Sequence, residues 1–147
     1  MDSVVKQNLV NKAIDAKENS YSPYSKFRVG CSLLTIDDIV YTGCNVENVS
    51  YGLSICAERT AICKAVSDGH RQFKAIAVAT DLNENFIAPC GACRQFIAEF
   101  GLDWKIILVK NRYEQKECSV KDILPYAFDS SMLVLNNLQL ANKTDKV

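Results

Sequence analysis

The sequence predicts an α/β/α sandwich, a three-layer α/β fold in which helices cover both faces of a mixed sheet of about five strands. Two observations carry this prediction. Stretches with the 3.6-residue apolar spacing of amphipathic helices alternate along the chain with short apolar segments. Two of those segments, residues 75–79 and 104–110, are apolar almost throughout, which is typical of strands covered on both faces.

The first half of the chain predicts one helix and a β-hairpin. Apolar residues share one face of a helix over residues 3–18, and the proline that follows disfavours helix for the residue before it. Residues 27–34 alternate between an inward and an outward set, which predicts a strand. Residues 39–45 are expected to return as a second strand after a turn at Asp37-Asp38.

The second half predicts the remaining elements. A helix is expected from about Cys56 to Gly69, a suitable end cap. Another helix is expected to begin at about Pro89, because proline suits the first helical turn, and to end at Gly101. Three more strands and a last short helix are predicted over residues 75–79, 104–110, 115–120 and 122–126.

Length and composition indicate a single domain over residues 1–147 with a polar tail from about residue 141. The 17 basic and 17 acidic residues give a formal net charge of zero, whereas proteins that bind nucleic acids usually carry a basic excess. We therefore expect a small-molecule partner and no nucleic acid. The start of the chain lacks the pattern of a secretory signal, and its apolar runs are too short to span a bilayer. A cytoplasmic protein without a membrane partner is expected.

Cysteines supply the strongest chemical signal. The chain has seven cysteines, an odd number without an export signal, so clustered thiols indicate metal chemistry rather than a disulfide framework. Cys90 and Cys93 form a Cys-x-x-Cys pair at a predicted helix start, and Cys56 lies at another. Both helix N-termini favour the thiolate form. Three thiolates suit a tetrahedral zinc ion with one position left for water, as in catalytic sites.

Two residues beside Cys56 complete this hypothesis. Glu58 lies close enough to the metal to exchange a proton with water there without being a ligand. Arg59 could donate hydrogen bonds to the thiolate sulfurs and offset their negative charge.

A cysteine, a glutamate two positions later and a distant Pro-Cys-x-x-Cys resemble the signature of zinc-dependent deaminases. From Tyr24 to Phe128 the chain resembles the small homotetrameric cytidine deaminases that act on free nucleosides, most specifically in residues 43–48, 56–61 and 89–95. The resemblance implies one zinc ion per chain and hydrolytic deamination of cytidine and deoxycytidine in pyrimidine salvage. Polynucleotide deaminases usually carry histidine where Cys56 stands, which argues against nucleic-acid editing.

The resemblance also implies roles for single residues around the substrate. Asn45 and Glu47 match residues that hold the ribose hydroxyls, and Phe27 matches the aromatic ring that packs on the pyrimidine. The Ala57 backbone and the Glu58 carboxyl match the groups that contact the edge of the base.

Tyr51 and Phe128 match residues that complete the site of a neighbouring subunit in a homotetramer. Val49 stands beside this expected contact where alanine is common in the family.

Two other functions remain open at this point. One is a deaminase of another aminopyrimidine nucleoside, which Asn45 and Glu47 do not exclude. The other is a structural zinc-binding module, which would need a fourth protein ligand and would not need Glu58. No function is assigned to His70 or to four further cysteines, Cys31, Cys44, Cys63 and Cys118.

Overall fold

A computed structural model of the protein describes residues 1–132, so the predicted polar tail from about residue 141 lies outside the described residues. A 3₁₀ turn, Tyr51–Leu53, precedes the second helix. The helices and strands, in chain order, are α1 (Ser3–Lys17), β1 (Val29–Thr35), β2 (Val40–Cys44), α2 (Ala57–Ser67), β3 (Phe73–Thr80), α3 (Gly91–Ala98), β4 (Lys105–Val109), β5 (Gln115–Ser119) and α4 (Val120–Ile123). Among residues 1–132, no helix combines the length and the apolar character that a membrane crossing requires.

Within residues 1–132, five strands form one mixed sheet in the order β2-β1-β3-β4-β5. β3 and β4 run parallel, with Ile76 opposite Ile106, and the other neighbouring pairs are antiparallel. The parallel pair needs a crossover, which α3 provides. The predicted mixed, five-stranded sheet is confirmed.

Two apolar clusters cover the two faces of this sheet. α1 packs on one face, where Leu9, Val10 and Ala13 contact residues of β1, β3 and β4. α2 and α3 pack on the other face, where Ile62 and Ile97 are fully buried. The three-layer α/β/α arrangement predicted from the sequence is therefore the observed one.

The predicted alternation of β1 is wrong in one respect. The residues assigned to its outward face, among them Ser32 and Leu34, are buried, at 0% and 3% exposure. The reason is that α1 covers this face, and the Ser32 hydroxyl donates a hydrogen bond to the Leu9 carbonyl at 2.7 Å. β1 is thus an interior strand buried on both faces.

Two helix boundaries also differ from the prediction. α3 begins at Gly91 rather than at Pro89, and Cys90 occupies the N-cap position. The last helix covers residues 120–123 rather than 122–126, because Ser119 and Asp122 form a reciprocal capping box that starts it earlier.

The contact between α2 and β2 is unusually close. A Cβ atom added at Gly43 would lie 2.5 Å from the Ala57 carbonyl oxygen and 2.6 Å from the Ala61 nitrogen. Only a residue without a side chain lets the first turn of α2 approach the sheet this closely. Gly43 therefore determines how far the first turn of α2 lies from the sheet. That turn carries Glu58.

Candidate active site

The start of β1 lies beside the ends of β2 and β3, since Gly30 pairs with Cys44 and Val29 with Thr80. A cavity of about 540 Å³ opens at this end of the sheet, between it and the N-termini of α2 and α3. Its volume is in the range of small-molecule sites. The predicted site residues that line it are Phe27, Asn45, Glu47, Tyr51, Cys56, Glu58 and Cys90.

Three thiols meet at one side of this cavity. Cys56 is the N-cap residue of α2, Cys90 is that of α3, and Cys93 lies in the first turn of α3. Their sulfur atoms all lie within 4.8 Å of one another, and the Sγ atoms of Cys56 and Cys90 are 3.8 Å apart. Among residues 1–132, this is the one place where three or more histidine, cysteine or carboxylate side chains lie close enough together to share a metal ion.

The thiol cluster fits zinc. Two sulfurs bound to one tetrahedral zinc ion at about 2.3 Å are separated by about 3.8 Å, which is the spacing of Cys56 and Cys90. Soft thiolate ligands also favour zinc over magnesium or calcium. Within residues 1–132 the group offers three protein ligands, as a catalytic site does, and not the four of a structural site.

Arg59 brings positive charge to these sulfurs. Its Nη2 atom lies 3.4 Å from Cys56 Sγ, and its Nε atom is buried without a hydrogen-bond partner in the described part of the chain. Hydrogen bonds, first from Cys93 and then from Arg59, hold the pKa of the Cys56 thiol well below its usual range. The site thus favours a thiolate at Cys56.

Glu58 lies in the first turn of α2 and lines the cavity, although the residue is only 4% exposed. Burial raises the pKa of its carboxyl group above the usual range. A carboxyl group in such an environment can accept a proton and return it.

The two residues predicted to hold the ribose differ in their surroundings. Glu47 accepts hydrogen bonds from the backbone nitrogens of Tyr24 and Ser25, at 2.9 and 3.2 Å, and from the Ser25 hydroxyl. The hydroxyl bond is the main cause that lowers the pKa of Glu47. Glu47 is therefore held as an anion against the loop before β1.

Asn45 joins three segments of the chain. Its Oδ1 atom accepts hydrogen bonds from the Ser20 hydroxyl at 2.5 Å and from the Val29 nitrogen at 2.9 Å. Its Nδ2 atom donates to the Phe27 carbonyl at 2.8 Å. The orientation of the Asn45 amide is thus fixed before any ligand enters the cavity.

The other predicted residues occupy different positions. Phe27 lines the cavity, and Ala57 is fully buried as the first residue of α2. Tyr51 is 73% exposed and lines the cavity of its own chain, with its ring centroid 5.7 Å from that of Tyr24. Phe128 lies outside the cavity lining and is exposed.

Part of the cavity wall consists of residues that the sequence motifs did not indicate. Tyr24 and Ser25 line it from the loop before β1, and Val78 and Thr80 line it from the end of β3. The position of the motifs at the end of neighbouring strands is the signal that could have indicated Val78 and Thr80.

Arg94 lies in α3, directly after Cys93. Its guanidinium donates to the carbonyl oxygens of Pro89, at 2.7 Å, and Ile123, at 2.9 Å. Within this chain it therefore ties the segment before α3 to α4.

Comparisons with known proteins agree with this geometry. The family model described as "Cytidine and deoxycytidylate deaminase zinc-binding region" matches residues 3–109. A "Probable cytidine deaminase" of Dictyostelium discoideum is 50% identical over 132 residues, which cover 87% of this chain and 89% of the relative. A "Cytidine deaminase" of Sporosarcina psychrophila is 47% identical over 128 residues, which cover 86% of this chain and 93% of the relative.

The fold agrees as well. The crystal structure of cytidine deaminase from Burkholderia pseudomallei matches this chain with a TM-score of 0.80 and 44% sequence identity. The match covers 87% of this chain and 100% of that one. Sequence, fold and the thiol cluster agree: the chain belongs to the cytidine and deoxycytidylate deaminase family.

Proposed function

We propose that this chain catalyses the zinc-dependent hydrolytic deamination of cytidine and deoxycytidine to uridine and deoxyuridine, with release of ammonia. The observation that carries the proposal is a cluster of three thiols at a cavity that Cys56, Cys90 and the buried Glu58 line. The relatives named cytidine deaminase support the choice of substrate. The family's role in pyrimidine salvage and a location in the cytoplasm belong to the same proposal.

One zinc ion per chain would be held by Cys56, Cys90 and Cys93. When bound, zinc supplies a Lewis acid that makes water a stronger nucleophile at neutral pH. Glu58 accepts one proton from the attacking water and donates it to ring nitrogen N3. After the water oxygen has bonded to C4, Glu58 passes the second proton to the amino group, which leaves as ammonia.

Binding and orientation come from the opposite wall of the cavity. Asn45 retains one amide N–H for a sugar oxygen, since three of its four hydrogen-bonding positions are already used. The anionic Glu47 accepts a hydrogen bond from a ribose hydroxyl. Phe27 packs on the pyrimidine ring, and the Ala57 backbone contacts its edge.

The function is tested by mixing zinc-loaded protein with cytidine and following the ultraviolet change on conversion to uridine. Steady turnover supports the proposal. If the protein binds about one zinc ion per chain but does not turn over cytidine, the assignment of cytidine as substrate is contradicted. Another aminopyrimidine nucleoside is then favoured as the substrate. Absence of both turnover and zinc would contradict the metal site as well as the proposed function.

Replacement of a ligand tests the metal site. Cys90→Ala is expected to reduce bound zinc to well below one ion per chain, because two thiolates hold zinc far more weakly than three. Elemental analysis after dialysis measures this, and Cys63→Ala, which removes an exposed thiol of α2 outside the cluster, is the matched control. An unchanged zinc content in Cys90→Ala would contradict the ligand assignment.

Arg59→Ala is expected to bind zinc with lower affinity than the parent, because the positive charge near Cys56 is lost. Competition with a zinc chelator measures this affinity, and an unchanged affinity would contradict the role of Arg59.

The active assembly is proposed to be a homotetramer in which Tyr51 and Phe128 contribute to a neighbouring site. Exposed apolar side chains near the cavity mouth, among them Val49, Tyr51 and Leu53, support an interface there. Sedimentation is expected to give a species of about four chains, and Tyr51→Ser to shift it toward smaller species with lower activity. A stable monomer with full activity would contradict both the tetramer and the shared site.

A further inference from the structure

Four charged side chains form a network at the end of the sheet where the cavity opens. The Arg28 guanidinium donates two parallel hydrogen bonds to Asp81, each of 2.9 Å, and a third to Glu18 at 2.8 Å. Lys17 Nζ also lies 2.8 Å from Asp81. We call Lys17, Glu18, Arg28 and Asp81 the rim network; it connects the end of α1, the start of β1 and the loop after β3.

The rim network lies directly behind the cavity wall. Arg28 stands between Phe27 and Val29, which both line the cavity, and Asp81 follows Thr80, which also lines it. Val29 and Thr80 are the last residue pair of the β1–β3 ladder at this end. The ion pair therefore continues the connection between the two segments beyond the point where their backbone pairing stops.

The network also contains more contacts than a single surface ion pair. The side chains of Lys17, Arg28 and Asp81 are 14%, 39% and 31% exposed, so solvent screens them only in part. The hydrogen bonds from Arg28, then Lys17, lower the pKa of Asp81 to about 2. A bidentate arginine–carboxylate pair also fixes geometry, which a single contact between two flexible side chains does not.

We propose that Arg28 and Asp81 are positioning residues that hold Phe27 against the bound base and fix the start of the loop leading to Cys90. The inference rests on the proposed function. Neither side chain is itself part of the cavity lining. Their effect on substrate passes through Phe27 on one side and through residues 81–90 on the other.

A purely stabilising ion pair and a positioning pair make different predictions. Loss of a stabilising pair lowers the melting temperature but leaves the remaining folded protein with the same KM. Loss of a positioning pair lets Phe27 and the loop take up several arrangements, which the substrate must then select among. The substrate affinity falls, whereas the chemical step at Glu58 is little changed.

The test is a double-mutant cycle of Arg28→Met, Asp81→Asn and both changes together. Each single change is expected to raise KM for cytidine roughly fivefold, with kcat within about twofold of the parent. The double variant is expected to be no worse than the worse single one, because both remove the same contact. Arg28→Lys, which keeps the charge but loses the fork, should fall between parent and Arg28→Met.

Lys74→Met is the matched control. Lys74 lies at the opposite end of β3 and forms an ion pair of 2.6 Å with Asp38, in the β1–β2 turn. Like Arg28→Met, this change removes one cation from an ion pair that connects β3 to a neighbouring segment. The KM of Lys74→Met for cytidine is expected to equal that of the parent. An unchanged KM in Arg28→Met, additive effects in the cycle, or an equal rise in Lys74→Met would each overturn the inference.

Calorimetric titration with uridine separates this inference from the proposed function. Absence of cytidine turnover by the parent counts against the proposed function alone, provided that uridine still binds. The variants are then compared by their dissociation constants for uridine, for which the same roughly fivefold change is expected. A parent that binds no uridine would overturn the positioning role as well.

Discussion

Glu58→Gln is expected to lower kcat for cytidine by about 10³- to 10⁴-fold while the protein keeps its zinc and its fold. Glutamine has nearly the same shape as glutamate but cannot accept a proton from water, so both proton transfers of the proposed reaction lose their carrier. Glu58 is almost fully buried against the cavity. Glu47, the other carboxyl residue among the described residues that line the cavity, is bonded to the loop before β1. Single-turnover kinetics with cytidine measures the effect.

Glu99→Gln is the control for this change. Glu99 lies exposed at the C-terminal end of α3, away from the cavity lining, and its replacement is expected to leave kcat unchanged. Zinc content and melting temperature are measured for both variants. Retention of more than about a tenth of parental kcat in Glu58→Gln would contradict the proton-carrier role, since such a group usually contributes at least about 10²-fold.

Gly43→Ala is expected to destabilise the protein by about 3 kcal/mol or more and to weaken zinc binding. The added methyl group would meet backbone atoms of Ala57 and Ala61 at 2.5 and 2.6 Å, and backbone in a helix cannot rotate aside as a side chain can. The first turn of α2 must therefore move away from β2, which shifts Cys56 relative to Cys90. Chemical denaturation gives the free energy of unfolding.

Gly52→Ala provides the comparison, because a Cβ atom there would meet nothing within 4 Å. This variant is expected to unfold within about 1 kcal/mol of the parent. The thiolate absorption of cobalt-loaded protein reports the metal geometry independently of stability. Parental stability and an unchanged cobalt spectrum in Gly43→Ala would show that α2 does not depend on the close contact at β2.

The layers of the fold followed from periodicity, and the exceptions have physical causes. The apolar runs of β3 and β4 predicted buried interior strands, and both are buried. β1 contains Gly30 and Ser32, small or polar residues that conceal its second buried face. α1 covers that face, since it packs closely on Gly30 and its Leu9 carbonyl accepts a hydrogen bond from the Ser32 hydroxyl. Neither a glycine nor a serine counts as an apolar position, so the pattern of apolar residues did not indicate this burial.

The candidate site also contains residues that could be predicted from the sequence and residues that could not. Cys56, Glu58 and the Cys-x-x-Cys pair were predictable, since local spacing brings the groups to two helix starts, and the fold brings those starts together. The rim network was not predictable, because Arg28 and Asp81 are separated by 53 residues and meet through strand register alone. The close contact at Gly43 likewise depends on a helix that begins 14 residues later.

The hydrogen bonds of Asn45 bear on any redesign of this pocket for nucleosides with altered sugars. Its amide bonds to Ser20, Phe27 and Val29, so the residue proposed to contact the sugar also joins the two chain segments around it. A replacement selected for a new sugar would disrupt that junction at the same time. Glu47 is attached to one loop only, which makes it the safer first position for library mutagenesis.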